Sequence, residues 1–242
     1  PAVEASNVVL EVLSNLGAPA TDPSTAAQIE TGRCIRCLTC LRVCPYRAVA
    51  LTGRPQVLPA ACERCGICAA ECPRGAIRIA GLEPADIHRL IAAGRPSDPA
   101  GDLPSVVAFC CRRSAAPALR SVVAAGNRWA AALNLIEVPC AGSIAPEALL
   151  SAFRQGADGV LILACHPDNC HSRHGNQLAH QRSDQALEFL KRCGAGEGRL
   201  LYKTLASNMP AEAAALLTEF SAALAGLKPN HRFRTAPEKE LL

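Results

Sequence analysis

The sequence predicts two folded units in series, a small α+β module gathered around eight cysteines and, after it, a parallel α/β sheet domain. Three observations predict this. A cysteine motif at Cys34 to Cys44 returns 28 residues later at Cys62 to Cys72, which marks an internal duplication. From Ser105 onward, β-branched apolar runs alternate with amphipathic stretches of helical period. Between the two patterns, Arg95 to Pro104 holds three prolines, one glycine and two aspartates, the composition of a linker. At 242 residues and 50% hydrophobic, the chain is long enough for two such units and too apolar for general disorder.

The net charge of +4 is small and forms no basic stripe, so nucleic acid is not an expected partner. No window supplies the roughly 20 apolar residues of a membrane span. Residues 1–16 lack a basic n-region and a small-residue cleavage signature, so a cytoplasmic location is expected. A first residue of Pro rather than Met suggests one piece of a longer polypeptide.

Taken in order, residues 1–28 read as a lead-in helix and connector. Val3, Val9, Leu10, Leu13 and Leu16 have helical spacing over 2–16, with Gly17 at the end. Residues 29–83 form the cysteine module, with short strands at Ala48 to Leu51 and Val57 to Leu58 around the Gly53-Arg54-Pro55 turn, and a third at Ala76 to Ala80. Residues 84–104 are read as a linker that opens with a short helix from near Pro84 to Gly94. In 105–227, strands are predicted at Ser105 to Cys110, Leu135 to Val138, Gly159 to Ala164 and Leu200 to Leu205. Helices are predicted at Ala115 to Ala125, Pro146 to Gln155, Asn176 to Cys193 and Pro210 to Ala225, with Gly126, Gly156, Gly194 and Gly226 just past their ends. The alternation describes a flavodoxin- or Rossmann-like sheet, whose strand ends open onto a ligand crevice. Residues 228–242, with two prolines and mixed charges, read as an exposed tail.

Each motif reads C-x2-C-x2-C-x3-C-P. Three cysteines at these intervals wrap one iron-sulfur cluster, and the fourth is carried to the neighbouring one. Cys34, Cys37, Cys40 and Cys72 are therefore assigned to a first 4Fe-4S cluster, and Cys62, Cys65, Cys68 and Cys44 to a second. A zinc ribbon on Cys34, Cys37, Cys62 and Cys65 would leave four regularly placed thiols unexplained. A disulfide framework needs an oxidising compartment for which there is no export signal. The stretch from about residue 30 to 82 resembles bacterial-type two-cluster ferredoxins.

Three predicted strands of the second unit finish at cysteines. Cys110-Cys111 closes the first, Cys140 the second and Cys165 the third, with Cys170 five residues on. A 2Fe-2S cluster on Cys111, Cys140, Cys165 and Cys170 fits the count and the topology; buried free thiols are the bland alternative.

Phe109-Cys110-Cys111, Val138-Pro139-Cys140-Ala141-Gly142, Gly156-Ala157-Asp158-Gly159-Val160, Ala164-Cys165-His166-Pro167, Asn169-Cys170-His171 and Gly175-Asn176 follow one another in an order that resembles the delta subunit of methyl-viologen-reducing hydrogenase, over about residues 104 to 227. That family's first motif usually reads Phe-x-Cys-x-x-Cys, and Ser114 stands at the second cysteine's place. This favours Cys111 and leaves open whether Cys110 takes part. The two units together resemble the C-terminal part of the heterodisulfide reductase A-subunit fused to such a hydrogenase delta subunit. The resemblance implies electron transfer within a cytoplasmic, flavin-based complex, some of whose relatives are linked to electron bifurcation. Its partners would be a hydrogenase or formate dehydrogenase and a heterodisulfide-type acceptor. It implies FAD on a partner or on a region upstream, since no G-x-G-x-x-G follows a strand here.

His166 and His171, each beside a candidate ligand, are read as N–H donors that tune the cluster rather than as ligands. His174 and His180 are expected on a loop and a solvated helix face. Arg112 and Arg113 are placed to favour a reduced cluster, to dock an acidic partner, or simply to be solvated. With no hydrolytic triad, paired carboxylates or phosphate loop, no catalytic residue is assigned. The competing reading is a docking adaptor, with a redox-active ferredoxin part and a cluster-free α/β domain.

Overall fold

In the computed structural model, which describes residues 8–11, 25–94, 103–127, 129, 131–194 and 198–227, the first element is a strand and not the expected helix. β1 (Val8–Glu11) pairs in parallel with β7 (Ala132–Val138), Val8 against Leu133 and Glu11 against Ile136. Short apolar runs satisfy both periods, and the open edge of a parallel sheet offers backbone partners that settle the choice. The remainder of the 2–16 helix and the 228–242 tail lie outside the described residues.

Within the cysteine module, β2 (Gln28–Ile29) pairs antiparallel with β5 (Ile77–Arg78) and ties its two ends together. β3 (Val49–Thr52) and β4 (Arg54–Val57) form a hairpin closed at Gly53, so the turn is tighter than expected and Arg54 and Pro55 join the return strand. Two short helices, α1 (Thr39–Val43) and α2 (Ile67–Ala70), continue the cysteine loops.

The duplication is written into the backbone as well. Left-handed residues pair off one repeat apart: Arg36 (φ 57°) with Arg64 (52°), Leu38 (59°) with Gly66 (84°), and Arg47 (52°) with Gly75 (53°). A non-glycine side chain in this region costs roughly 1–2 kcal/mol, less what glycine loses in chain entropy. Arg47→Gly is therefore expected to stabilise the module by about 0.5–1 kcal/mol. The thermal midpoint of the metal-loaded protein checks this, and a fall would mean that the Arg47 side chain makes a contact worth more than the strain.

α3 (Pro84–Ala93) starts with a reciprocal cap between Glu83 and Asp86. Its Ile87, Leu90 and Ile91 form one apolar stripe and pack into the core of the following sheet. The buried Asn134 amide donates to the Leu90 carbonyl at 3.0 Å and the Ile91 carbonyl at 3.3 Å, satisfying acceptors that a helix end leaves open. Residues 84–93, expected as part of a linker, thus belong structurally to the α/β layer.

The sheet has five parallel strands in the order β1-β7-β6-β8-β9, with β6 (Ser105–Cys111), β8 (Gly159–Ala164) and β9 (Leu200–Thr204). β6, β7 and β8 are buried almost throughout because both faces are covered. Residues of α3, α5 (Pro146–Arg154) and α6 (Gly175–Arg192) cover one face. Those of α4 (Ala115–Ala124) and α7 (Pro210–Ala225) cover the other. The chain leaves β6 toward β7 on one side and returns to β8 on the other. The crevice at this reversal opens beyond the carboxyl ends of the strands, where Cys111, Cys140, Cys165 and Cys170 stand.

Candidate metal centres

Two small cavities divide the module's eight cysteines four and four. One is lined by Cys34, Cys37, Cys40 and Cys72, backed by Ile29, Pro55 and Ile77. The other is lined by Cys44, Cys62, Cys65 and Cys68, backed by Ala27, Val57 and Ile79. Each takes three cysteines from one motif and one from the other, because the short helix that holds the third cysteine carries the fourth across. The crossing cysteines are held alike: Ala48 N–H donates to Cys44 Sγ at 3.3 Å, and Ala76 N–H to Cys72 Sγ at 3.2 Å. Among the described residues, no three His, Cys, Asp or Glu side chains close on a point that would hold a single ion; the sulfurs surround volumes. Four sulfurs lining one cavity fit a multinuclear cluster.

The thiols differ in environment. Burial pushes Cys65 up to about 12 and also raises Cys68 and Cys40. Such thiols keep their protons until a metal displaces them. Cys37 is exposed, and the Thr39 hydroxyl at 3.4 Å holds it down.

In the α/β domain, Cys111, Cys140, Cys165 and Cys170 converge at the crevice. The Cys165 thiol is in hydrogen-bond contact with Cys111 and Cys170, which lowers both of those groups and raises Cys165 itself. Cys140 is pushed up to about 11 by burial, opposed by the Ser172 hydroxyl. Further hydrogen bonds to these sulfurs come from the backbone at Arg113, Ala141 and Gly142, and at Ser172, Gly175 and Asn176 where α6 begins. The groups that hydrogen-bond to these sulfurs include a serine hydroxyl and main-chain N–H groups. Converging N–H groups fit an anionic, thiolate-bound group.

Cys110 and Cys111 face opposite sides of the sheet, as consecutive strand residues must. Cys110 packs with α4 and α7, its thiol on the Ala108 carbonyl at 3.4 Å, whereas Cys111 packs with α3, α5 and α6. Cys110 therefore does not join the group. Ser114 donates its hydroxyl to the Leu205 carbonyl and not toward the thiols.

The second cavity abuts this third cysteine group. The Tyr46 hydroxyl lies 3.0 Å from Ser172 Oγ and 3.4 Å from the His171 carbonyl. His174, in the turn before α6 and so on a loop as expected, places Nε2 3.1 Å from the Val43 carbonyl. Three close approaches need the absence of a side chain. A Cβ on Gly66 would run into Ser143, one on Gly175 into the Cys140 sulfur, and one on Gly142 would come within 2.8 Å of the Gly175 carbonyl oxygen. Arg182, nearly fully buried, ties the seam: it pairs with Glu71 and donates to the carbonyls of Gly142 at 2.6 Å and Ile144 at 3.1 Å. Arg113 adds an ion pair to Glu63 at 3.4 Å. His180 is exposed as expected, and its ring stacks on Tyr202 at 4.6 Å. Tyr46, Ser172 and Arg182 carry no sequence signal, since nothing local relates residues more than 100 positions apart.

Comparison with known proteins points to iron-sulfur chemistry. Residues 33–76 match the 4Fe-4S dicluster domain. Over 175 residues, 72% of the chain, the sequence is 35% identical to the A-subunit of the ferredoxin:CoB-CoM heterodisulfide reductase of Methanosarcina mazei, and it spans 22% of that protein's length. It is 30% identical over 105 residues to the iron-sulfur D-subunit of the vhc F420-non-reducing hydrogenase of Methanococcus voltae, covering 43% of this chain and 73% of that one. The iron-sulfur D-subunit of an F420-non-reducing hydrogenase from Archaeoglobus profundus is 27% identical over 126 residues, 52% of this chain and 92% of its own. The chain is thus an iron-sulfur protein related to redox subunits, and no helix among its described residues is long and apolar enough to cross a membrane. The match of residues 106–228 to the methyl-viologen-reducing hydrogenase delta subunit covers half of the sequence and carries the crevice cysteines with it, so the chain belongs to that family.

Proposed function

We propose that the chain is the iron-sulfur relay segment of a cytoplasmic, heterodisulfide-reductase-like complex that uses flavin. In this reading it passes electrons between a hydrogenase- or formate-dehydrogenase-type partner and a flavin or heterodisulfide-type site, within an assembly of the kind that supports electron bifurcation. The observation that carries it is the partition of eight cysteines into two crossed cavities, one of which adjoins a third group of four cysteines. Cys34, Cys37, Cys40 and Cys72 would hold one 4Fe-4S cluster and Cys44, Cys62, Cys65 and Cys68 the other, in a bacterial-type two-cluster arrangement. Cys111, Cys140, Cys165 and Cys170 would hold a 2Fe-2S cluster. When bound, such clusters supply reversible one-electron chemistry at potentials set by charge, hydrogen bonds and burial.

The residues of this chain do the positioning. Tyr46, Ser172 and the three glycines keep the second cavity close to the third cysteine group, and converging N–H groups stabilise negative charge on sulfur. The strand order from β6 to β9 supports a flavodoxin-like sheet with its ligand crevice at the reversal. FAD belongs, in this reading, to a partner or to an upstream region.

Anaerobic reconstitution tests the proposal. Iron and acid-labile sulfide are expected at about ten each per chain, falling to about eight on Cys140→Ser with loss of one reduced paramagnetic signal. About eight in the unsubstituted protein, with an intact complex, favours instead the docking adaptor, whose α/β domain holds no cluster. The close thiol contacts of Cys165 are the observation on that side.

A further inference from the structure

The two copies of the cysteine motif face different neighbours. In the second copy the cysteine loop is covered by the α/β domain: Ile67 is fully buried, Gly66 lies against Ser143, and Glu63 pairs with Arg113. One repeat earlier, Glu63, Gly66, Ile67 and Ala69 correspond to Ile35, Leu38, Thr39 and Leu41. Among the described residues this equivalent face is open. Ile35 is 60% exposed and Leu41 37% exposed, two of the few large apolar side chains so presented, and Cys37 is exposed between them. Arg33, Arg36 and Arg42 surround them, all exposed. An apolar centre with an arginine rim is the composition of a protein interface rather than of an idle surface.

We infer that the first repeat uses this face to dock a separate one-electron carrier protein, apolar at the contact and acidic around it, as the second repeat uses its equivalent face to dock the α/β domain. The inference rests on the relay reading and adds where the relay meets an outside protein. The duplication argues for the occupant's kind, since the covered copy abuts a cysteine-bearing domain. The charges argue for its sign, because the arginines here stand where the second copy has Arg64 at one position only and Ala70 in place of Arg42. Exchange across such a face moves one electron, lost by the carrier's centre and gained by the group held at Cys37 or the reverse, with no bond made or broken.

The test uses the full chain, loaded with iron and sulfide without oxygen, and an acidic flavodoxin as probe. Binding is followed by calorimetry at low and high salt. The double variant Ile35→Glu with Arg36→Glu is expected to bind roughly tenfold or more weakly at low salt, with much of the salt dependence gone. Leu103→Glu, an exposed apolar position at the amino end of β6, should bind like the unsubstituted protein. Iron content and reduced-state spectra should be the same in all three. Unaltered binding by the double variant, equal weakening by Leu103→Glu, or no binding of the probe to the unsubstituted protein overturns the docking face alone. A chain that takes up no iron overturns the relay reading beneath it.

Discussion

Replacing Cys34 and Cys72 together by alanine is expected to remove one four-iron cluster, about four iron atoms per chain, whereas replacing Cys34 and Cys44 together is expected to remove both. Cys34 and Cys72 line one cavity, although they lie in different motifs; Cys34 and Cys44 lie in one motif but line different cavities. Were the ligands uncrossed, the two results would change places. The effect on folding should be as large as that on metal. The core cluster of the module comprises Ala27, Cys40, Val49, Ile77 and Ile79, and several of the residues packed around it are themselves cysteines. A core so small depends on its clusters, as metal-coupled folding leads one to expect. The Cys34/Cys44 variant should therefore leave residues 25–83 open to protease while the α/β domain, with two extensive cores of its own, stays resistant. Iron and sulfide analysis with timed proteolysis reads both outcomes.

Gly142→Ala is expected to disable the third cysteine group without touching a cysteine. The added methyl would lie 2.8 Å from the Gly175 carbonyl oxygen and 2.9 Å from its Cα, both backbone atoms at the first turn of α6. Relief requires the helix to withdraw, and with it go the Gly175 and Asn176 N–H groups that reach Cys170. Overpacking of this kind costs about 1–3 kcal/mol. Iron should fall by about two atoms per chain, with a lower thermal midpoint. Gly32→Ala, where nothing stands within 4 Å, should change neither. Normal iron content in Gly142→Ala would show that α6 yields without disturbing the sulfurs.

Much of this architecture is legible in the sequence, for identifiable reasons. Cysteine spacing encodes the crossed cavities because a short helix has one length and carries its end to one place. The strands and helices after Ser105 follow from clean periodicity, and the four helices there fall within a residue or two of the predicted ends at both termini. Val8–Glu11 invites a helical reading because so short a run satisfies either period, and only a distant edge strand decides it. α3 looks like part of a linker although Ile87, Leu90 and Ile91 announce a packed face, since its partner, the sheet, comes later in the chain. For Cys110 and Cys111, alternation dictates that they part company but not which of them meets Cys165. The seam made by Tyr46, Ser172, His174 and Arg182 has no local signature at all, because it joins two units each of which is readable alone.

The position of β1 turns the apparent series of two units into a nesting. Its residues precede the cysteine module, yet they complete a sheet whose other four strands follow it, so the module is an excursion from within the α/β fold. Excising residues 103–227 as a stand-alone fragment would strip the outer rim of β7 and leave its backbone from Leu133 to Ile136 open to self-association. Both ends of the excursion are thereby moored to the same platform, one through β1 and the other through α3, which restrains the module from swinging away.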